Sequence, residues 1–271
     1  MNKTRADILL VEQGLAKTRE KAKSLIMAGE VYSMGKRIEK AGESVSRDQT
    51  LEVKENPLPF VSRGGLKLLK AIDEFSLDLQ GVVALDIGAS TGGFTDCMLQ
   101  KGAAKVYAID VGYGQLDWRL RNDKRVKVME RTNARFLKLD WLDERPSFAS
   151  IDVSFISLTL ILEPLFQCLI DGGTVIALVK PQFEAGRDKV GKHGVVRSID
   201  THVNVLENIS AFALKTGYSV SGIGYSPITG PKGNIEFLLH LKKGKSTDNA
   251  MREELRKRII ETVEDAHSAL N

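Results

Sequence analysis

The chain has 271 residues, of which 42% are hydrophobic and 27% charged, with a net charge of +4; these values are ordinary for a globular protein with one large domain and one small one. The chain has only two cysteines, Cys97 and Cys168, which excludes a disulfide-based secreted fold. Neither has another Cys or a His nearby at the spacing of metal ligands, so the sequence predicts no metal site. Because no apolar run has the length of a signal-peptide core or a membrane span, we expect a cytoplasmic protein without a membrane partner.

The first part of the chain, residues 1–56, predicts a small α+β domain. Apolar residues at helical spacing end at glycines, and short alternating runs that are typical of strands follow. Thr18 is a suitable N-cap for the second helix, and Gly29 can end it. The predicted elements are helices at 7–14 and 19–28, a hairpin at 31–38 and a closing strand at 50–53.

The basic residues of this domain are nearly balanced by glutamates, so charge alone predicts only a solvated surface. Its short motifs, in order, are Arg5-Ala6-Asp7, Leu10, Gly14-Leu15-Ala16, Thr18-Arg19, Ala22, Ile26, Gly29-Glu30-Val31 and Gly35-Lys36. This order resembles the alpha-L RNA-binding domain of a small-subunit ribosomal protein and of many pseudouridine synthases. Two positions depart from that family, where Thr18 replaces a serine and Met34 replaces an asparagine at the hairpin tip. The resemblance implies contacts with RNA phosphates, for which the candidates are Arg5, Arg19, Lys23, Lys36, Arg37 and Arg63.

Two prolines and the end of the strand alternation predict a linker at residues 57–62. A helix that follows Gly64 and Gly65 leads into a larger domain, which we place at residues 63–245. The remainder, residues 246–271, predicts an amphipathic helix. Its charges are of both signs, which favours packing over membrane anchoring.

The larger domain is organised around a glycine-rich turn at residues 86–94. An apolar run before the turn predicts a buried strand and residues 94–100 predict a helix, so helix N–H groups face the turn. Ser90 stands two positions after Gly88, so the turn is not the dinucleotide fingerprint G-x-G-x-x-G. Its leading acid and double glycine instead resemble the first motif of S-adenosylmethionine (SAM) methyltransferases, which implies SAM as the cofactor. The predicted cofactor contacts are Asp86, Gly88, Ala89, Ser90, Thr91, Gly92, Gly93 and Phe94.

Two residues beyond the turn are also predicted to contact the cofactor. Asp110 ends the second strand, residues 106–109, where an acid suits hydrogen bonding to ribose hydroxyls. Asn133 follows the third strand, residues 126–129, and by position could bond the adenine edge. An Asx turn is the alternative interpretation of Asn133.

The remaining apolar runs predict a Rossmann-like α/β sheet with helices on both faces. The run at 172–181 is nearly continuous, as expected for a central strand covered on both sides. Since ligands of such sheets lie at the carboxyl ends of strands, Asp152 and Lys180 should lie at the same edge as the glycine-rich turn. The other predicted elements are a strand within 150–155 that ends near Asp152, strands at 218–225 and 235–241, helices at 158–169, 201–216 and 248–270, and a mobile polar loop at 183–197.

Four short motifs of the larger domain carry a second resemblance. They are SRGGLKL at 62–68, DVSF at 152–155, LVKPQFE at 178–184 and GNIEF at 233–237. These motifs resemble those of the TlyA family, which is similar to the FtsJ-type ribosomal RNA 2′-O-methyltransferases and their Lys-Asp-Lys-Glu tetrad. The resemblance implies that the catalytic residues are Lys67, Asp152, Lys180 and Glu236, with Lys70 as a nearby alternative to Lys67.

These residue types suit the removal of a proton from a ribose hydroxyl. A lysine can accept the proton of the attacking 2′-hydroxyl only if the lysine pKa falls from about 10.4 toward neutrality. Burial and nearby positive charge both lower such a pKa. We assign Lys180 as the general base, oriented by Asp152, with Glu236 holding Lys67 or the ribose. The resemblance further implies cytidine as the target and ribosomal RNA or ribosomal subunits as the partner.

Three alternatives remain open. A non-catalytic RNA-binding or ribosome assembly factor could retain this fold, although the intact tetrad argues against it. A haemolysin, a name that this family sometimes carries, would need a signal, a membrane span or a strongly basic amphipathic helix. A base-modifying methyltransferase would more naturally use a cysteine or an Asn/Asp-Pro-Pro-aromatic motif than the DVSF sequence.

Overall fold

The computed structural model describes residues 3–53, 59–244 and 250–270. The chain divides into two compact units, Met1–Arg63 and Gly64–Asn271. Several predicted segments lie partly outside the described residues, namely the end of the small domain at 54–56, the linker at 57 and 58, and the C-terminal region at 245–249 and 271.

In the first unit, two helices pack with short strands around a small apolar core. The elements are β1 (Lys3–Arg5), α1 (Ala6–Glu12), α2 (Arg19–Ala28), β2 (Val31–Ser33), β3 (Lys36–Arg37), β4 (Ser44–Ser46) and β5 (Leu51–Val53). Strand β2 pairs antiparallel with both β3 and β5, and β1 pairs antiparallel with β4. Leu10, Ile26, Val31 and Leu51 are among the buried side chains that join these elements.

Local signals in the sequence account for most of this unit. Thr18 Oγ1 accepts a hydrogen bond from Lys21 N at 3.2 Å and Gly29 ends α2 at a φ of +77°, which confirms the predicted cap and stop. The hairpin tip has Met34 at +49° and Gly35 at +76°, the pair of positive φ angles that a tight two-residue turn requires. The sequence analysis missed β1 and β4, because three residues are too few to reveal an alternation.

In the second unit, helices surround one larger sheet. The helices are α3 (Gly64–Glu74), α4 (Gly93–Gln100), α5 (Trp118–Arg121), α6 (Thr159–Cys168), α7 (Pro181–Glu184), α8 (Ile199–Thr216) and α9 (Ala250–Leu270). The strands are β6 (Val83–Ile87), β7 (Lys105–Ile109), β8 (Val126–Met129), β9 (Phe148–Ile151), β10 (Thr174–Val179), β11 (Tyr218–Tyr225) and β12 (Phe237–Lys243).

Within the described part of this unit, seven strands form one sheet in the order β11-β12-β10-β9-β6-β7-β8. Strand β12 runs antiparallel to both of its neighbours, whereas the pairs from β10 to β8 are parallel. The chain first moves outward from β6 through β7 and β8, and then continues on the other side of β6 with β9 and β10. Ligands of open α/β sheets bind at the carboxyl edge beside such a reversal. The predicted Rossmann-like α/β class is confirmed.

The C-terminal helix α9 packs through the apolar face that the sequence predicts. Ile259, Val263 and Ala266 are buried, and they belong to the same apolar core as Tyr218 of β11 and Leu239 of β12. Among the helices of the described residues, none combines the length and apolarity needed to cross a membrane.

One prediction about the connections is confirmed and one is wrong. Strand β9 ends at Ile151, next to Asp152 as predicted, and residues 152–155 form a loop. The reason is that only the amide of Asp152 still bonds the neighbouring strand, after which Phe155 adopts a φ of +65°. Residues 183–197 are not one polar loop, because they include the end of α7 and a short 3-10 helix.

Candidate active site

The residues that the sequence predicts to be catalytic lie together at the carboxyl edge of the sheet. Asp152 directly follows β9 and Lys180 directly follows β10, and these two strands are parallel neighbours. Glu236 directly precedes the antiparallel β12, whose Phe237 pairs with Val179 of β10. The register therefore places Glu236 at the level of Lys180 on the same edge.

The four residues form two ion pairs, of which Lys67–Glu236 is buried and Lys180–Asp152 is partly buried. Lys180 Nζ lies 2.5 Å from Asp152 Oδ1 and donates a hydrogen bond to Ser154 Oγ at 3.0 Å. Lys67 Nζ, carried by α3, lies 2.5 Å from Glu236 Oε2. Lys67, Lys180 and Glu236 are only 8%, 9% and 1% exposed. Because an unpaired buried charge is strongly unfavourable, the fold has to hold each lysine beside its own carboxylate.

Lys70, the alternative to Lys67, lies outside this cluster. Its Nζ pairs with Glu74 one turn further along α3, at 3.3 Å, and its side chain is well exposed. Lys67 is therefore the lysine of α3 whose ammonium enters the buried cluster.

Both carboxylates retain acceptor capacity. Among the described residues, no hydrogen-bond donor serves the buried Glu236 Oε1. Asp152 Oδ1 lies beside the Lys180 ammonium, but their alignment is that of an ion pair and not of a hydrogen bond. A buried acceptor without a donor costs about 1–3 kcal/mol. A ligand hydroxyl that reached these oxygens would therefore be stabilised.

The glycine-rich turn at the end of β6 packs directly against the loop that carries Asp152. Gly88 has a φ of +88°, and a Cβ at this position would overlap the backbone oxygen of Asp152. Gly92 has a φ of +95°, and its Cβ would overlap side-chain atoms of Leu116 and Leu120. Both positions require glycine for conformation and for space.

The turn offers mainly backbone groups to a ligand. Ser90 is exposed and Thr91 partly exposed, whereas the side chains of Ala89 and Phe94 are buried. Helix α4 begins at Gly93, so its first N–H groups lack partners within the helix. These donors suit the carboxylate of an amino-acid cofactor.

Asp110 joins the turn to the loop that follows β7. Its Oδ2 accepts a hydrogen bond from Ser90 N at 2.8 Å, and its Oδ1 accepts one from Gly112 N at 2.7 Å. The carboxylate is thus fixed at the edge of the sheet, and each oxygen has a further lone pair for a ribose hydroxyl.

Asp86 lies beneath the turn, which corrects the prediction that it contacts the cofactor. It is fully buried, and its carboxylate accepts hydrogen bonds from Thr95 Oγ1 at 2.6 Å and from Ser150 Oγ at 3.2 Å. The reason is that the chain turns outward only after β6 has ended, while Asp86 is still inside the strand. Asp86 therefore links α4 and β9 to the turn from within the core.

Burial raises the pKa of Asp86 to about 7, although the hydrogen bond from Thr95 opposes the shift. Since the native state then binds the proton more tightly than the unfolded chain, stability should fall as the pH rises from about 4 to about 7, by about 1.4 kcal/mol for each pKa unit. We expect Asp86→Asn to remove this dependence. Urea unfolding of both proteins at pH 5.5 and pH 8 measures it, and equal pH dependence in the two would contradict the assignment.

Asn133 forms an Asx turn, which was the alternative interpretation of this residue from the sequence. Its Oδ1 accepts a hydrogen bond from Arg135 N at 3.1 Å and caps a short 3-10 helix. The side chain is exposed, so its Nδ2 group is the part that remains for a ligand.

The sequence analysis missed two neighbours of Lys180. Ser154 accepts the hydrogen bond from Lys180, and Phe155 holds a 90% exposed ring at a φ of +65°. The Phe155 ring centroid lies 4.8 Å from that of Phe183, which follows Lys180 by one turn. Positive φ is unfavourable for a bulky residue, and such strain is concentrated at functional sites. The DVSF motif contains both residues, but the sequence alone reveals neither the hydrogen bond to Ser154 nor the positive φ of Phe155.

The two cysteines are buried thiols. Burial raises the pKa of Cys97 to about 12 and that of Cys168 to about 11. Because the thiolate is the nucleophile, neither cysteine suits a base-modifying mechanism. In the described parts of the chain, no group of three or more His, Cys, Asp or Glu residues could hold a metal ion.

In the first unit, one buried carboxylate orients two predicted RNA contacts. Asp7 accepts hydrogen bonds from Arg5 Nε at 2.9 Å and from Arg19 Nη2 at 3.0 Å. The hydrogen bond from Arg5, helped by that from Arg19, lowers the pKa of Asp7 to about 2. Both guanidiniums remain about half exposed. This arrangement presents two fixed cations to solvent, as phosphate binding requires.

The other predicted RNA contacts differ in their exposure. Lys23 and Lys36 are exposed. Arg37 is largely covered because it lies against Gly29, where any Cβ would overlap its guanidinium. Arg63 forms an ion pair at 3.0 Å within the same unit. Arg37 therefore packs the hairpin against α2, and its contact with RNA stays a prediction.

Comparison with known proteins gives two family matches. A model of the FtsJ-like methyltransferase family matches residues 60–243, and a model of the S4 domain matches residues 4–51. The chain is 54% identical over 99% of its length to YqxC of Bacillus subtilis (strain 168), whose name assigns it provisionally to the rRNA methyltransferases; the match covers 95% of that protein.

Two further similarities extend over nearly the whole chain. It is 42% identical, over 92% of both proteins, to the 16S/23S rRNA (cytidine-2′-O)-methyltransferase TlyA of Mycobacterium tuberculosis (strain H37Rv). A solved structure of a Streptococcus thermophilus protein that is named a hemolysin has 51% sequence identity and a TM-score of 0.78, covering 99% of this chain and 97% of that one.

Proposed function

Because the chain belongs to the FtsJ-like methyltransferase family, in the TlyA branch that also carries an S4 domain, we propose that it methylates a ribose 2′-hydroxyl of ribosomal RNA with SAM as the donor. The observation that carries the proposal is the ion pair of the buried Lys180 with Asp152 at the carboxyl edge of the sheet. We propose cytidine as the target nucleoside, which the name of the M. tuberculosis relative states for that protein.

The turn at residues 88–94 and Asp110 fit the cofactor. N–H groups at the start of α4 would bind its carboxylate, and Asp110 would accept hydrogen bonds from its ribose. When bound, SAM supplies a methyl group activated by a positively charged sulfur. The close contact of Gly88 with Asp152 supports this arrangement, because it keeps the cofactor turn next to the catalytic loop.

Lys180 acts as the general base in this proposal. Only the neutral amine can act in this way, so the Lys180 ammonium first releases a proton to solvent; its Nζ then takes the proton from the 2′-hydroxyl as the oxygen attacks the methyl carbon, while Asp152 and Ser154 fix the position of the nitrogen. Fixing the reacting groups in this way removes much of the entropic barrier to the reaction.

Lys67 and Glu236 position the ribose. The Lys67 ammonium holds Glu236 Oε2, which leaves the buried Oε1 to accept a hydrogen bond from a substrate hydroxyl. The exposed ring of Phe155 lies in the loop that carries Asp152 and offers a flat surface on which the target base can stack.

The S4 domain binds the RNA backbone through Arg5 and Arg19, which Asp7 orients. We expect Arg19→Gln to weaken the binding of ribosomal RNA about tenfold and to reduce the slope of log K against log salt by about 0.9, as the loss of one phosphate contact does. Arg47→Gln is the matched control, because Arg47 is an equally exposed arginine of the same unit that pairs with Glu12. Titrations at several salt concentrations measure both variants. Equal slopes in the two would contradict the role of Arg19.

The test of the reaction is the transfer of tritiated methyl from labelled SAM to ribosomal RNA from a strain that lacks this protein. Intact subunits and naked RNA are compared, and nuclease digestion then separates 2′-O-methyl nucleosides from base-methylated ones. Label in 2′-O-methylcytidine is the expected result. Label on a base would overturn the role of Lys180, and no label despite SAM binding would favour a non-catalytic assembly factor.

A further inference from the structure

A second surface of the methyltransferase unit has the chemistry of a nucleic-acid contact. It consists of three exposed aromatic rings and two arginines, here called the aromatic–arginine patch. Tyr113, Trp118 and Phe136 are 68%, 75% and 61% exposed, which is unusual for aromatic side chains. The members of the patch are Tyr113, Trp118, Arg131, Arg135 and Phe136.

The arginines of the patch contact rings and not carboxylates. Arg131 Cζ lies 4.2 Å from the centroid of the Tyr113 ring, and Arg135 Cζ lies 5.8 Å from that of Phe136. Within residues 3–53, 59–244 and 250–270, neither arginine has an acidic partner in an ion pair. Three other arginines of this region each form an ion pair with a nearby acid. These pairs are Arg119 with Asp117, Arg121 with Glu130 and Arg125 with Asp123.

The patch lies beside the cofactor turn. The backbone N–H of Asp117, which precedes Trp118, bonds the carbonyl of Thr91 at 3.1 Å. The backbone N–H of Thr132, which follows Arg131, bonds the carbonyl of Asp110 at 2.9 Å. Arg131 itself has a φ of +54°, a conformation that this site must stabilise. The patch is therefore attached to the same edge of the sheet as the catalytic residues.

We propose that the aromatic–arginine patch binds unpaired nucleotides of the RNA that flank the target. Uncompensated guanidiniums attract phosphates, and exposed rings stack on bases whatever the sequence. A duplex cannot use the rings, because its bases are already stacked on one another. The inference rests on the proposed function in that it takes RNA as the substrate, but it concerns a surface outside the tetrad and outside the S4 domain.

Trp118 itself can report the contact. The chain has two tryptophans, so Trp141→Phe leaves Trp118 as the single one. The variant is titrated with a 12-nucleotide cytidine RNA, with an RNA duplex of the same length and with SAM alone. We expect the single strand to quench the Trp118 emission in a saturable curve, and the duplex and SAM to leave it nearly unchanged. Trp118→Phe, which retains Trp141, should lose the effect.

An arginine variant tests the charge component. Arg131→Gln should weaken the single-strand titration by about five- to twentyfold. Arg256→Gln, an exposed arginine of α9 that pairs with Glu207, should leave it unchanged.

Three results would overturn the proposal: no quenching by the single strand, equal quenching by the duplex, or quenching by SAM alone, which would make this loop a cofactor lid. The methyl-transfer assay on the wild-type protein separates the two proposals. If methyl is transferred but the Trp118 emission is not quenched, only the proposal about the patch is rejected. If the emission is quenched but no methyl is transferred, the proposed reaction is rejected and the proposal about the patch is retained.

Discussion

Replacing Lys180 by arginine should reduce methyl transfer to ribosomal RNA by about 100- to 10,000-fold, the usual contribution of a general base. Arginine keeps the positive charge beside Asp152, but a guanidinium does not give up its proton in a protein and cannot accept another. Lys180→Ala should lose at least as much activity. Rates of tritium transfer at saturating SAM measure both variants.

Two controls make the Lys180 result specific. SAM binding, measured by calorimetry, should persist in both variants, because the turn at residues 88–94 and Asp110 are unchanged. Lys215→Arg, at an exposed position in α8, should transfer methyl at the wild-type rate. If Lys180→Arg retained more than a tenth of the wild-type rate, Lys180 would act through its charge and would not be the base.

Replacing Lys67 by methionine should lower the free energy of unfolding by about 3–5 kcal/mol, because it leaves Glu236 charged, buried and unpaired. It should also abolish methyl transfer. Urea unfolding at pH 7.5 measures the first effect and the tritium assay measures the second.

The double variant Lys67→Met/Glu236→Met separates stability from catalysis. Two apolar side chains of similar length should restore most of the lost stability, since no buried charge remains. Methyl transfer should stay absent, because the variant lacks Glu236, the carboxylate that is proposed to bind the ribose. A stable double variant with normal activity would reduce the pair to a structural role.

The elements that could be predicted from the sequence are those with strong local signals. The apolar run before Lys180 predicts β10, and the residues from Thr18 to Gly29 contain their own start and stop for α2. Because strands of a parallel sheet end at one edge, the strand ends also placed Asp152 and Lys180 together. Periodicity and chain connectivity were enough for these inferences.

Predictions failed where tertiary contacts decide the conformation. The sequence predicts that the strand ends near Asp152 but does not show that Phe155 turns outward at a positive φ beside the ring of Phe183. An acid before a glycine turn suggests a ligand contact, yet Asp86 is buried because it still lies within β6, inside the core. The sequence left open whether Glu236 holds Lys67 or the ribose, because the two residues are 169 positions apart, and the structure pairs Glu236 with Lys67.

The position of β12 determines when this enzyme becomes active during its own synthesis. This strand is the last of the described sheet to be translated, yet it lies between β10 and β11 and brings Glu236 to Lys67. Contacts between such distant residues form late in folding, whereas the cofactor turn and Asp110 are close in sequence and can form early. A chain whose synthesis stops after Asn133 but before Glu236 therefore contains the cofactor turn and Asp110 but never completes the tetrad. Methyl transfer by the tetrad therefore requires that translation has passed Glu236, and fragments from interrupted synthesis should be inactive.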